Sequence, residues 1–346
     1  LVGSEMCIRD SYELMYRNPD IEILFFCGGK AYDFLKNYGL NVIKVPHFGY
    51  SYSKGDVRPF FTLLKNLKTL YLKKKGVFKK IKNLILKHCP DLIINDFEYF
   101  VPHIASHLRI PVINIHHQGI LNKTKLYIPL RQWPNYLSAI FATYMIEVKA
   151  CLNIIPSFFA PELKQTKGNN ILTGPILRKE ILEKGNIAAE NFILVYAMDP
   201  SFAWIAEILK KFKSETFIFV GCSSIDKVYS NNIMFKQVDH SAFIKYLKSC
   251  KAVIATAGHT LISESLYLKK PFLAIIQGNQ FEQYLNAYYL EKNGYGISCK
   301  KQKDLSRTIS TFLKKIPSLK KNIQVNFSEG NKKAVDIIID FLESSN

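Results

Sequence analysis

Residues 252–287 restrict the fold of this chain more than any other segment, because apolar runs alternate there with small or polar turns. Residues 252–255 form a short apolar run typical of a buried parallel strand, and a helix is predicted to follow the small residues 256–258. Residues 272–276 predict a second such strand, and the polar loop 277–280 leads into a second helix. Both turns would leave the carboxyl ends of strands in an open parallel sheet, where ligands bind.

The first turn has the composition of a phosphate site. Gly258 places no side chain before the helix, so the helix can present its unpaired N–H groups and positive dipole end to a phosphate. Thr256, His259 and Thr260 can add side-chain donors. Glu264 lies four residues after Thr260, whereas a capping box needs a spacing of three, so helix capping explains this acid poorly and a ribose diol is the predicted partner. An ordinary strand–helix junction remains the alternative explanation of the turn.

The second turn is rich in side chains that form hydrogen bonds. Gln280 precedes the second predicted helix. Glu282 and Asn286 share one face of that helix at i, i+4, and Gln283 lies beside them.

Over residues 252–296 these motifs resemble the nucleotide-sugar glycosyltransferases of the GT-B fold, and a weaker likeness runs from Tyr12 to about Phe341. That superfamily includes the peptidoglycan GlcNAc transferase, the UDP-glucuronosyltransferases and uncharacterised bacterial and archaeal members. The resemblance implies that the Gly-rich turn holds the donor diphosphate and that Glu264 binds ribose. It further implies that Glu282 and Gln283 bind the sugar hydroxyls.

The resemblance also implies an activity. We expect inverting transfer of a sugar from a nucleotide diphosphate sugar, a UDP-sugar, to a hydroxyl of a glycan or lipid-linked acceptor, without a cofactor or a metal ion. Arg178 occupies the place of an arginine that reaches the donor phosphates in the family, although a solvated arginine is the alternative. A nucleotide-sugar epimerase of the same architecture and a non-catalytic basic binding module are the other functional interpretations.

Strand and helix patterns alternate through the rest of the chain and predict an α/β protein. The predicted strands are 21–27, 42–45, 92–95, 112–115, 192–197, 217–220, 233–238, 252–255 and 272–276. Repeated strand–helix units give parallel sheets, and 346 residues are enough for two cores, so we predict two Rossmann-like domains facing across a cleft, the GT-B arrangement. We place an acceptor domain at 12–163, a polar linker at 164–173 and the donor domain, closed by a C-terminal helix, at 174–346.

Residues 1–11 have neither a strand pattern nor the basic and apolar regions of a signal peptide. We interpret them as a non-native segment, so the first strand and loop of the acceptor domain are expected to be missing. In the resembling family, that loop supplies a histidine as general base, and an aspartate at the place of Asp96 polarises it. We therefore expect a chain that binds donor but transfers sugar poorly. The alternative roles for Asp96 are to cap the next helix or to pair with a surface base; Glu98, His116 and His117 are the other candidates at this edge.

The chain carries a net charge of +19, and many of its lysines lie between residues 65 and 87. Lys73 to Lys75, Lys79 and Lys80 alternate there with apolar residues, as in an amphipathic basic helix. A solvated face, an anionic membrane surface and nucleic acid are the three alternatives. Because no recognised nucleic-acid motif accompanies the charge, we expect no nucleic-acid partner.

Cysteine usage and apolar windows bear on the cellular location. The seven cysteines have neither a CxxC pair nor the spacing of metal ligands, which is typical of reduced thiols. The longest apolar windows, such as residues 136–146, are shorter than the ~20 residues that span a bilayer. We predict a cytoplasmic protein of the cell-envelope machinery that attaches peripherally to the inner face of the membrane.

Overall fold

The computed structural model describes residues 14–37, 39–46, 52–53, 56–57, 76–165, 169–183, 188–197, 204–221, 226–237 and 239–345. The described residues form two compact units. The first unit contains the residues up to Arg178, apart from 52–56, and the residues from Glu329 onward. The second unit contains residues 52–56 and Lys179–Ser328. The predicted non-native segment 1–11 and Lys73 to Lys75 lie outside the described residues.

The first unit contains short parallel strands with helices between them. Its strands are β1 (Phe25–Cys27), β2 (Val42–Lys44), β5 (Ile93–Asn95), β6 (Val112–Ile115), β7 (Leu152–Pro156) and β8 (Asn169–Thr173). Its helices are α1 (described over 14–17), α2 (Gly29–Asn37), α3 (described over 76–88), α4 (Phe100–His107), α5 (Gly119–Lys123), α6 (Trp133–Ile146) and α13 (Asn331–Ser345). Two strands of two residues each, β3 (Tyr52–Ser53) and β4 (Asp56–Val57), lie between β2 and α3 in the sequence. β1 pairs with β2, and β5, β6, β7 and β8 form a parallel sheet in that order.

The second unit is built on one seven-stranded sheet. Its strands are β9 (Phe192–Tyr196), β10 (Thr216–Val220), β11 (Lys227–Ser230), β12 (Ile233–Lys236), β13 (Ala252–Thr256), β14 (Phe272–Ile275) and β15 (Gly296–Cys299). Its helices are α7 (Lys179–Leu182), α8 (Trp204–Leu209), α9 (His240–Ser249), α10 (His259–Tyr267), α11 (Phe281–Lys292) and α12 (Leu305–Asn326).

The strand order of the second unit is β11-β12-β10-β9-β13-β14-β15, and every neighbouring pair is parallel except β11 with β12. If the parallel strands are counted from β9, the order reads 3-2-1-4-5-6, the doubly wound order of Rossmann domains. The chain reverses its winding direction between β9 and β13. Ligands bind outside the carboxyl ends of the strands at such a switch point.

Every strand predicted from the sequence is present. Most ends agree, several shift by one or two residues, and the largest difference is at β1, which begins at Phe25 rather than at residue 21. β15 was not predicted, because glycine is depleted in strands. A Cβ built on Gly296 would lie 2.0 Å from the Phe272 carbonyl oxygen, so close packing against β14 requires glycine there.

A row of asparagines crosses the four-stranded sheet of the first unit. Asn95, Asn114, Asn153 and Asn170 are paired across β5, β6, β7 and β8. Each donates from Nδ2 to Oδ1 of the next, at 2.9 Å for Asn95 to Asn114, 3.0 Å for Asn114 to Asn153 and 3.0 Å for Asn153 to Asn170. A slip of one residue would turn an asparagine to the other face of the sheet and leave buried amides unpaired. This asparagine ladder therefore fixes the register of the sheet.

Two segments differ from the predicted domain boundaries. The predicted linker 164–173 contains β8, which pairs with β7 and extends the asparagine ladder. The C-terminal helix α13 was predicted to close the donor domain, but its Ala334, Val335 and Ile338 pack with core residues of the first unit such as Ile113. The physical reason is that the apolar stripe of α13 covers one side of the first unit's core.

Candidate active site

The N terminus of α10, directly after β13, is open to a ligand. Gly258 is its N-cap residue, with φ −74° and ψ 134°, a conformation that any residue adopts. A Cβ built on Gly258 would meet no atom within 4 Å. Neither backbone conformation nor packing therefore requires glycine here. The first N–H groups of α10 have no intrahelical acceptor, and glycine offers no side chain to cap them, which is the arrangement of an anion site.

Asn286 of α11 holds this turn in place. Its Nδ2 donates to the Ala257 carbonyl oxygen at 3.0 Å, and the residue is fully buried. Ala257 N donates to the Ile275 carbonyl oxygen at 3.3 Å, which ties the turn to β14 as well. The predicted donor-binding role of Asn286 stays a prediction, and its observed contact is with the backbone that precedes Gly258.

The side chains around Gly258 differ in their access to solvent. Thr260 is exposed and Thr256 is half-buried, so both can meet a ligand from solvent. His259 is buried, and Glu264, one turn further along α10, is only 1% exposed. Because truncating a buried side chain leaves a cavity, the role of Glu264 is better tested with an isosteric amide than with alanine.

The turn after β14 lies next to the turn after β13, because Thr256 and Ile275 are paired at the ends of these strands. The Gln283 side chain bridges two residues of the second turn. Its Oε1 accepts from Gln277 N at 2.9 Å, and its Nε2 donates to Gln280 Oε1 at 2.9 Å. Desolvation raises the pKa of the neighbouring carboxyl of Glu282. The structure therefore brings the turn at Gly258 and the predicted sugar-binding residues to one edge of the sheet.

Arg178 lies elsewhere in the chain. It is the last residue of the first unit before α7, and it is half-buried. Its predicted contact with donor phosphates stays a prediction.

The carboxyl end of β5 carries two acids separated by a left-handed residue. Asp96 follows β5 directly and is half-buried, and Phe97 has φ 54°. Glu98 is buried, and its Oε2 accepts from Val101 N, in the first turn of α4, at 3.2 Å. Desolvation outweighs the backbone hydrogen bonds to this carboxyl and raises the pKa of Glu98 from 4.5 to about 7. Glu98 therefore accepts from the N terminus of α4, and the predicted roles of Asp96 stay predictions.

The two histidines after β6 point in different directions. His116 Nδ1 accepts from Gly119 N at 3.1 Å, and its Nε2 faces Glu147 Oε1 at 3.8 Å. His117 Nδ1 donates to the Pro156 carbonyl oxygen at 2.9 Å. Both rings are buried. Since both nitrogens of His116 face protein atoms, this residue is poorly placed to take a proton from an acceptor.

Glu147 is a residue that sequence analysis missed. Its Oε1 lies 2.9 Å from Lys123 Nζ, and its Oε2 accepts from Asn122 Nδ2, so it connects α5 with the segment after α6. A lone acid far along the chain from His116 belongs to no motif, and no sequence signal identifies it. Among the described residues, no three His, Cys, Asp or Glu side chains form a group that could hold a metal ion.

Comparison with known proteins identifies the family. The sequence model of glycosyl transferase family 1 matches residues 3–317. The chain belongs to glycosyl transferase family 1. A family match over most of the chain also makes it a glycosyltransferase enzyme. The described helices include none with the length and apolar character needed to cross a membrane.

A relative of this glycosyltransferase agrees with the family match, and similar solved structures show the same fold. The UDP-N-acetylglucosamine--N-acetylmuramyl-(pentapeptide) pyrophosphoryl-undecaprenol N-acetylglucosamine transferase of Clostridium botulinum is 27% identical over 308 residues, 82% of this chain and 80% of the relative. The glycotransferase of kitacinnamycin superposes with a TM-score of 0.64 at 12% identity, over 98% of this chain and 97% of the other. MurG of Acinetobacter baumannii superposes with a TM-score of 0.59 at 12% identity, over 98% of each chain. The GT-B fold and the two Rossmann-like domains predicted from the sequence are confirmed.

The environment of His116 makes the stability of this glycosyltransferase depend on pH. Desolvation first, and then the charge of Lys123 and the neighbouring His117, lower the pKa of His116 from 6.5 to about 3. Between pH 6.5 and 3 the unfolded chain therefore binds more protons at this site than the folded protein, and the His116 contribution to stability is lost as the pH falls through that window. The expected loss is about 1.4 kcal/mol per pH unit, or about 2 kcal/mol at pH 5.

Glu98 gives the opposite pH dependence of stability, so the test compares variants with the wild type. Its raised pKa makes the folded protein bind more protons between pH 4.5 and 7, so the Glu98 contribution falls as the pH rises. His116→Asn keeps an acceptor for Gly119 N and removes the titration. Urea unfolding of His116→Asn should show about 2 kcal/mol less destabilisation than the wild type between pH 7.5 and 5. His88→Asn, an exposed-site control, should lose as much stability between pH 7.5 and 5 as the wild type does. An equal loss in His116→Asn would contradict the assignment of this pH dependence to His116.

Proposed function

We propose that this glycosyltransferase binds a UDP-sugar at the turns after β13 and β14 and transfers the sugar, with inversion, to an acceptor hydroxyl. The observation that carries the proposal is the open N terminus of α10. Gly258 has ordinary backbone angles, and no atom lies within 4 Å of the position that a Cβ would occupy, so a glycine there is explained by a ligand that approaches the backbone. The position of β13 at the switch point of the sheet supports the same site.

The diphosphate would lie against the N–H groups of α10, with Thr256 and Thr260 as additional donors. These fixed donors and the helix dipole would stabilise the negative charge that develops on the leaving UDP, so we propose that no metal ion is required. Glu264 would bind the ribose diol. A transfer assay in EDTA should then proceed at the same rate as one with added Mg²⁺.

The sugar would be held by the second turn. Glu282 and Gln283 would bind its hydroxyl groups, with Gln280 beside them through the observed hydrogen bond to Gln283. Asp96, half-buried at the carboxyl end of β5, would face the acceptor hydroxyl in the first unit. Release of UDP that depends on an acceptor would support transfer, whereas release from the UDP-sugar alone would favour hydrolysis or an epimerase.

We further propose a lipid-linked acceptor and peripheral attachment at the cytoplasmic face of the membrane. The name of the Clostridium relative specifies an undecaprenol-linked substrate, which supports this acceptor class. The described part of the basic segment has an amphipathic helix, α3, in which Ile81 and Ile85 are buried while Lys79, Lys80 and Lys82 are exposed. Exposed lysines contribute about 1 kcal/mol each near anionic headgroups.

Two isosteric substitutions should separate the ribose and sugar contacts. Glu264→Gln should weaken UDP binding by about 1 to 3 kcal/mol, the free energy of a hydrogen bond to a charged group, and leave the unfolding temperature nearly unchanged. Glu282→Gln should leave UDP affinity unchanged and weaken only the UDP-sugar. Calorimetric titration with UDP and with UDP-N-acetylglucosamine, the donor in the name of the relative, measures both. Equal UDP affinity in Glu264→Gln and the wild type would remove Glu264 from the site.

A further inference from the structure

The region around α6 exposes an unusual number of large apolar side chains. Of the ten large hydrophobic residues that are exposed in the described part of the chain, seven lie between residues 127 and 145. Five of them define what we call the α6 surface: Leu130, Trp133, Leu137, Phe141 and Tyr144. Their spacing of three or four residues places the four from Trp133 onward on one face of the helix, with Leu130 one turn before it. Leu130 is 88% exposed, and Leu137 and Phe141 are each more than half exposed.

The helix itself carries no ionisable acid or base of the Asp, Glu, His, Lys or Arg type. The fourteen residues WPNYLSAIFATYMI contain none of these, although 22% of the whole chain is Asp, Glu, Lys or Arg. Only Tyr136 and Thr143 are buried in α6. A surface helix normally presents a charged face to solvent, whereas α6 presents an apolar face. A contiguous exposed apolar surface of this kind marks an interaction site.

The chemistry of the α6 surface fits a lipid bilayer with anionic headgroups. Aromatic side chains with a polar atom, here Trp133 and Tyr144, are favoured at the boundary between headgroups and acyl chains, and Leu and Phe insert below them. Two cations, Arg131 and Lys149, flank α6 at its two ends. The acid that follows the helix, Glu147, is buried against Lys123.

Charge also decides between lipid and a second copy of the chain. With a net charge of +19, two copies would repel each other, whereas an anionic surface attracts the protein. The basic helix α3 lies in the same unit, and Val148, two residues after α6, packs against the core cluster that contains Ile81 and Ile85 of α3. Ile81 and Ile85 of α3 and the segment after α6 therefore pack in one core cluster of the first unit.

We propose that the α6 surface inserts into the headgroup region of an anionic lipid bilayer, with α6 parallel to the membrane plane. At 1.5 Å per residue the helix is about 21 Å long, shorter than the ~30 Å hydrocarbon core, which suits a helix that lies on a bilayer. The proposal rests on the proposed function only for the lipid-linked acceptor; the surface binds lipid whether or not the donor site binds UDP. Insertion here would bring the enzyme to an acceptor that resides in the bilayer.

Trp133 is a natural reporter of insertion. The chain has two tryptophans, and Trp204 packs against the core of the second unit, so Trp204→Phe leaves Trp133 as the only one. Vesicles of phosphatidylcholine with about 30% phosphatidylglycerol, an anionic surface of the kind that attracts basic segments, should shift the Trp133 emission to shorter wavelength. Lipids brominated near the headgroup should quench it. Absence of both signals in the full chain would overturn the proposal.

Matched variants test the apolar contact. Leu137→Gln/Phe141→Gln removes two exposed apolar side chains without touching the core and should weaken cosedimentation with the anionic vesicles at least about 10-fold. Val228→Gln removes an apolar side chain of similar exposure in the second unit and should bind like the wild type. Wild-type binding by the double variant, or concentration-dependent self-association that this variant abolishes, would overturn the proposal. Titration of the same variants with UDP measures the donor site independently. A failure of lipid binding can therefore be distinguished from a failure of UDP binding.

Discussion

Replacing Gly258 with aspartate is expected to abolish measurable UDP binding while leaving the protein at least as stable as the wild type. The backbone at Gly258 has ordinary φ and ψ values, and a side chain there meets open space. Aspartate is a preferred N-cap residue, and its carboxylate is favoured by the helix dipole, so the free energy of unfolding should stay equal or rise by a few tenths of a kcal/mol. The same carboxylate would occupy the N–H groups and repel a diphosphate, and UDP should bind at least about 100-fold more weakly.

Weaker UDP binding together with equal or higher stability would distinguish a ligand site from an ordinary helix start. Gly258→Ser tests the contribution of charge, because serine caps the helix without a negative charge and should weaken UDP by a smaller factor. Gly76→Asp is the matched control, since Gly76 also has no atom within 4 Å of a built Cβ and lies on the first unit. Calorimetry with UDP and urea unfolding provide the two measurements. Wild-type UDP affinity in Gly258→Asp would place the diphosphate elsewhere.

Asn114→Leu is expected to destabilise the protein by roughly 3 to 6 kcal/mol, the largest stability effect of a single substitution considered for this chain. Asn114 is fully buried, accepts from Asn95, and donates to Asn153 and to the Val148 carbonyl oxygen. Leucine has the same branching and number of side-chain heavy atoms, so the loss would come mainly from three polar groups left without their partner: the amides of Asn95 and Asn153 and the half-buried Val148 carbonyl, at about 1 to 2 kcal/mol each.

The end of the ladder provides the control. Asn170 is half-buried on the edge strand β8 and accepts the last ladder bond from Asn153. Water can replace part of that contact, so Asn170→Leu should cost about 1 kcal/mol or less. Urea unfolding of both variants measures the difference. A loss for Asn114→Leu no larger than that for Asn170→Leu would show that the ladder does not stabilise the sheet.

The two turns at the candidate donor edge of the second unit could be predicted from sequence because their signals are local. Buried strands such as β13 and β14 consist of uninterrupted apolar runs, and the chain must leave such strands through turns that Gly258 and the loop before α11 identify. The exact ends of strands could not be predicted, because whether a terminal residue pairs depends on the adjacent strand. The predicted roles of Glu264, Glu282 and Gln283 depend on ligand contacts and await the titrations described above.

Other features depend on contacts between residues far apart in the chain. The polar sequence of β8 resembled a linker, and only pairing of Asn170 with Asn153 makes it a strand. The apolar stripe of α13 was visible in the sequence, but its packing against Ile113 was decided by the tertiary fold. The low pKa of His116 likewise comes from burial and from Lys123, neither of which the sequence motif indicates.

The sequence by itself determined the α/β class, the positions of nine strands and the two turns of the candidate donor site, because hydrophobic periodicity and glycine placement act within a few residues. Only the tertiary structure decided which apolar segments are buried. Residues 136–146 form one of the longest apolar windows in the sequence and could equally have formed part of the core. In the folded chain only Tyr136 and Thr143 of α6 are buried, because the side of a helix that finds a partner depends on the elements packed against it.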